Sequence, residues 1–198
     1  MSDDLHLTVI HLTDRASRLL DDAYVVHRAL LAETGGIRPL WCAPDRRTVI
    51  VQHSTPITAS AFPRRAVADI KSAKLGTAYS PSDVVRLSLI GCAVKIRTLQ
   101  TPDGTRRGVA IITLPPEEQA DWLTRKLAGA VDLHRIEVEQ MLPSVGRKAG
   151  ARITHTRVGF AASGTVVDPD VLAERIRNGV GKGRAFGLGL LLVAGARQ

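Results

Sequence analysis

The 198-residue chain sets 27 Lys and Arg against 19 Asp and Glu, a formal charge of +8, and this balance favours an anionic partner, nucleic acid foremost or a membrane surface. An apolar share of 44% is ample for one core or two small ones, yet no apolar run approaches the roughly 18 to 20 residues of a membrane span. The polar start Met1-Ser2-Asp3-Asp4 is no signal peptide, two cysteines read as buried free thiols, and six histidines without HExxH or Cys-x-x-Cys spacing exclude the common zinc patterns, so a soluble, cytoplasmic protein is expected.

Residues 5–11 alternate apolar and polar side chains like a strand. Asp21-Asp22 then offers an N-cap for a helix over 23–33, which Thr34-Gly35-Gly36 stops. Strands at 38–42 and 48–52 form a hairpin through Ala43-Pro44-Asp45-Arg46, a weaker helix follows at 63–71, and 84–90 is a strand with Val85, Leu87 and Leu89 on one side. The order β, α, β, β, α, β is the ferredoxin-like pattern. Polar, turn-rich residues 97–107, with Thr101-Pro102-Asp103-Gly104, mark a linker between a domain at 1–96 and another at 108–198. The order then recurs: strand 109–114, helix 115–128, strands 133–141 and 153–167, helix 169–177, strand 187–193. The expected fold is α+β, two tandem ferredoxin-like, RRM-like domains.

Between Arg147 and Arg184, eight cations face Asp168, Asp170 and Glu174, a local excess of five charges. Residues 144–152, with Arg147, Lys148 and Arg152, read as a flexible basic tip between two strands, able to enter a groove; Arg157 follows on the next strand, and a merely solvated loop is the alternative. The last glycine-rich stretch, Asn178-Gly179-Val180-Gly181-Lys182-Gly183-Arg184-Ala185-Phe186-Gly187-Leu188-Gly189, runs helix, loop, strand. Rossmann and P-loop signatures run strand, loop, helix, so this one is neither. Gly179, Gly181, Gly183, Gly187 and Gly189 leave amides open to close approach beside Lys182 and Arg184, which suits a polyanion backbone; a mobile turn before an edge strand is the other reading.

On the first helix, a turn of about 100° per residue aligns Ala23, Val26 and Leu30 and makes Tyr24 and His27 neighbours on the border of that stripe, with Arg28 farther toward solvent. Packing is the ordinary use of such a border. RNA offers a chemical one: a 2′-hydroxyl attacks the adjacent phosphate, an imidazole moves the proton, a phenol hydrogen-bonds, and a cation offsets the phosphorane charge.

The Tyr24-x-x-His27-Arg28 helix, Val49-Ile50-Val51-Gln52-His53-Ser54-Thr55-Pro56, Glu117-Glu118-Gln119-Ala120-Asp121-Trp122-Leu123 and the Gly-x-Gly-x-x-x-x-Phe-Gly-x-Gly stretch from Gly179 occur in one order along nearly the full length. Together they resemble the CasE family, the CRISPR-associated endoribonuclease of the type I-E Cascade complex. The resemblance implies two ferredoxin-like domains, catalytic Tyr24 and His27, a basic hairpin at 147–157 that grips an RNA stem, and cleavage of the CRISPR repeat hairpin at the base of that stem without metal or other cofactor. It also implies that the enzyme, monomeric when free, stays on its product and joins the other Cascade subunits. Gly91-Cys92 stand where many relatives have Asn-Pro, and the 4% aromatic content favours recognition by shape and phosphates over base stacking. A non-cutting RNA-binding subunit, with His27 only packing, and an RRM-like single-strand binder are the rivals; the strands offer the latter almost no aromatic platform.

Overall fold

A computed structural model of the protein describes residues 5–101 and 106–195, so the Met1-Ser2-Asp3-Asp4 start and the Pro102-Asp103-Gly104 turn lie outside the described residues. Strand β1 (Leu5–Leu12) leads through a 3-10 turn at Asp14–Asp21 to helix α1 (Ala23–Glu33). Asp22 caps α1 by accepting from the amides of Tyr24 and Val25, and Ala23, Val26, His27 and Leu30 form its buried face. The hairpin of β2 (Leu40–Cys42) and β3 (Thr48–His53) then lays β3 antiparallel to β1.

The helix expected at 63–71 does not form. Strand β4 (Val67–Leu75) pairs with the free edge of β1, Ile10 opposite Ile70, and Thr8 Oγ1 meets Ser72 Oγ at 2.7 Å. The spacing of Ala66, Val67 and Ile70 suits a helix, but an unpaired sheet edge outweighs a weak local preference. Only a 3-10 turn at Ala59–Ala61 remains between β3 and β4. The sheet order β2-β3-β1-β4 is still that of a ferredoxin-like half.

Strand β5 (Val84–Gly91) does bury Val85, Leu87 and Leu89, but in the second sheet. Alternation reveals which face of a strand is apolar, not which sheet receives it. The chain therefore passes between the sheets at 76–83, and the expected linker at 97–107 falls instead on a two-stranded arm of β6 (Val94–Gln100) and β7 (Arg106–Thr113). After α2 (Pro116–Leu127) come β8 (Val131–Lys148), β9 (Ala151–Val166), α3 (Pro169–Asn178) and β10 (Leu191–Gly195), and the order β10-β5-β9-β8 repeats the ferredoxin-like arrangement. The protein is thus α+β with two ferredoxin-like halves. No helix among the described residues is long and apolar enough to cross a membrane.

Strands β8 and β9 run 18 and 16 residues, well past the usual five or six, and stay paired to Lys148 and Ala151. The expected basic loop is consequently a ribbon, closed by Ala149 and Gly150, whose φ of 48° and 79° make the tight turn that matches strand twist.

Separate apolar clusters fill the halves, and a third, of Leu40, Cys42, Ile90, Cys92, Leu188 and Leu190, joins them. Both cysteines are free and buried; burial pushes the Cys42 thiol up to about 12. Gln52 Nε2 adds a bond across the junction, donating to the Ile176 carbonyl in the last turn of α3 at 2.8 Å. Gly187, at φ +72°, faces the Trp41 ring so closely that a Cβ would sit 2.9 Å from it. Gly187→Ala should combine left-handed strain with overpacking and cost about 2 to 4 kcal/mol, read as a lower denaturant midpoint; an unchanged midpoint contradicts this packing.

Candidate active site and RNA interface

The first turn of α1 meets the β8–β9 ribbon of the other half. A Cβ on Gly146 would lie 2.8 Å from the Tyr24 amide nitrogen, so the two backbones are in direct contact. Lys148 Nζ consequently stands 5.8 Å from the Tyr24 ring centre, and His27 lies beside that ring at 5.8 Å between centroids. Phe186 backs Tyr24 at 5.9 Å and is itself met edge-on by His155 at 4.6 Å.

His27 is 5% exposed, and its Nδ1 is buried without a hydrogen-bond partner among the described residues. Burial first, then the charges of Arg38 and Lys148, hold its imidazole below the usual histidine range. Each disfavours the cation, so the ring is neutral at pH 7 and presents a nitrogen able to accept a proton. The ring is packed, but it shares its surroundings with a phenol and two cations rather than with aliphatics alone.

Burial also depresses His53 and His155. With all three folded-state values below that of the unfolded chain, the unfolded chain binds more protons as pH falls through about 6.5, and stability declines there until the folded-state histidines also titrate. Melting between pH 7.5 and 5.5 should show this fall; a flat or rising Tm would contradict it.

Tyr24, His27 and Lys148 therefore come together, with Arg147 next in chain and Arg152 opposite Arg147 on the ribbon. Arg184 opens the 3-10 turn Arg184–Phe186 that carries Phe186 to Tyr24, whereas the Arg28 and Lys182 side chains are exposed. Arg157 is elsewhere: it pairs across from Met141, and its guanidinium donates to the Ala43 carbonyl at the junction of the halves. Desolvation there lowers its pKa.

The glycine stretch differs from the expected cradle of open amides. The amides of Gly179, Val180, Phe186, Gly187 and Gly189 donate to carbonyls within the protein, and Gly181 and Gly183 pack against Trp122 and Leu188. Tight folding rather than phosphate approach accounts for most of these glycines.

Sequence reasoning missed Arg38, Phe186 and His155. Arg38 follows the Gly35-Gly36 stop, where only the turn back toward α1 reveals its proximity to His27. A groove of about 520 Å³ between the halves is lined by Leu20, Trp41, Met141, Arg157 and Phe186; neither Tyr24 nor His27 lines it.

No curated protein sequence matches the chain. Among solved structures, the fold is similar to Thermus thermophilus Cse3 bound to an RNA representing a pre-cleavage complex, at 28% identity over 96% of this chain and 99% of that one, with a TM-score of 0.75. CRISPR endoribonuclease Cse3 bound to a 19-nucleotide RNA matches at 28% identity, 96% and 98% coverage and a TM-score of 0.75. Cas6e from Escherichia coli K-12, at 20% identity, 96% and 98% coverage and a TM-score of 0.74, shares the fold. The model of the CRISPR associated protein family matches residues 5–195, nearly end to end, and with two ferredoxin-like halves in place the chain belongs to that family.

Proposed function

We propose that the protein is an endoribonuclease that binds the hairpin of a CRISPR repeat RNA and cuts at the base of its stem. The observation that carries this reading is a buried, neutral-biased imidazole on one half, set beside a phenol and under a cationic ribbon from the other half. Similarity to Cse3 in complex with RNA supports it.

The ribbon, through Arg147, Lys148 and Arg152, grips the stem by its phosphates and shape, with Lys182, Arg184 and Arg28 adding charge. Neutral His27 accepts the 2′-hydroxyl proton as that oxygen bonds to the adjacent phosphorus. The bond from phosphorus to the 5′-oxygen breaks, and the departing oxygen takes a proton from imidazolium or water. Tyr24 holds the reacting phosphate with a donated hydrogen bond, while Lys148 and Arg38 offset the phosphorane charge. The products carry a 2′,3′-cyclic phosphate and a 5′-hydroxyl. Because no water attacks, no metal-activated hydroxide is needed. The enzyme acts in the cytoplasm, keeps its product and enters Cascade with it.

Incubating the protein with a repeat hairpin in EDTA should give one cut with a cyclic-phosphate end, and a 2′-deoxy sugar at the cut position should block it. Intact RNA, or cleavage that EDTA abolishes, defeats the proposal; intact but bound RNA would instead identify a non-cutting subunit, the reading that His27's burial favours. Affinity should fall with log salt at a slope of about 0.7 to 0.9 per phosphate neutralised, and a flat response would remove the cationic ribbon from binding.

A further inference from the structure

Asp22 stands where the two parts of this site touch. Its Oδ1 accepts the Tyr24 amide at 3.0 Å and the Val25 amide at 3.3 Å, which is the work of an N-cap. The same oxygen accepts a third bond, from the Arg147 amide on β8 at 3.3 Å, across 125 positions of sequence. A helix needs only the local pair. The third donor belongs to the other half of the protein, and an ionised carboxylate, with lone pairs to spare, holds all three more strongly than a neutral acceptor.

The neighbouring contacts make this bond a spacer of defined length. Gly146, one residue before Arg147, lies against the backbone of Tyr24, and Lys148, one residue after it, places its ammonium over the Tyr24 ring. Both are within two residues of an Asp22 bond at either end. A slip of the ribbon along the helix would thus carry Lys148 away from Tyr24 and His27 together.

We propose that Asp22 is a positioning residue that registers the RNA-holding ribbon of the second half on the helix bearing Tyr24 and His27, so that a stem gripped by one half is presented to the imidazole of the other. The role rests on the endoribonuclease reading. It acts on geometry rather than on grip, since Asp22 is an anion and makes no bond with RNA phosphates. Displacement by about 1 Å at a reacting centre is enough to slow a reaction roughly 100-fold.

Two substitutions separate the cap from the register. Asp22→Gly keeps a serviceable N-cap but removes the acceptor for Arg147, whereas Asp22→Asn keeps an oxygen at that place. With the full-length protein and the repeat hairpin, the Gly variant should cleave about 10- to 100-fold more slowly at saturating RNA, with Kd within about twofold of the parent. Its Arg147 amide should exchange hydrogen faster, and the Asn variant should recover most of the rate. A Gly variant as fast as the parent, parallel loss of rate and affinity, or no recovery by Asn would overturn the role. If the parent protein leaves the hairpin intact, the endoribonuclease reading itself fails; a cutting parent beside an equally fast Gly variant sinks the positioning role alone.

Discussion

His27→Ala should cut a repeat hairpin about 100- to 10,000-fold more slowly at saturating RNA, the range lost when a positioned proton-transfer group is removed, with Kd unchanged within about twofold. On the proposed reading binding persists, because the ring is only 5% exposed and the cations assigned to the grip stand on β8 and β9. The imidazole is also buried on the packed face of α1, so Ala leaves a void; His27→Asn, which fills more of it and moves no proton near neutrality, guards against reading misfolding as lost chemistry. Rates measured against pH supply an independent check. Burial, Arg38 and Lys148 all disfavour the imidazolium, so the parent enzyme should hold its rate to a pH below the ordinary histidine value near 6.5 before it falls. A wild-type rate in both variants would dismiss His27 from the reaction.

Gly146→Val should be nearly as damaging, though the residue has no functional group. The first atom of any side chain there would come within 2.8 Å of the Tyr24 amide nitrogen and 2.9 Å of both Tyr24 Cβ and the Phe186 ring. Backbone on a capped helix cannot give way as the end of a long side chain would, so the ribbon must lift. The expected outcome is about a 100-fold slower cut from misplacement, together with about 1 to 3 kcal/mol of lost stability from overpacking. Gly76→Ala is the control, because no atom lies within 4 Å of a Cβ there. Equal rates in the two variants would show that close approach of ribbon to helix is irrelevant to cleavage.

What was legible in sequence was local. The Asp22 cap and the Thr34-Gly35-Gly36 stop delimit α1 at the residues observed, and the three-residue spacing of Tyr24 and His27 does make them neighbours. Pairing across the chain was not legible. Residues 67–75 became a strand because β1 had an edge to cover, β5 entered the second sheet, and Arg157 turned inward to the Ala43 carbonyl. The glycine stretch misled for a related reason: the left-handed conformations that would open a loop to phosphate equally allow it to fold back on its own carbonyls. Arg38 reaches the electrostatic surroundings of His27 only through the return of the chain after α1.

The shared cluster of Leu40, Cys42, Ile90, Cys92, Leu188 and Leu190 means that neither half is a spare part. Severing the chain within 76–83 would give two fragments, each baring one wall of that seam, with the imidazole on one and the cationic ribbon on the other. Such pieces would be sticky apart, and on the proposed function their reunion would restore cleavage, whose appearance reports that they had met.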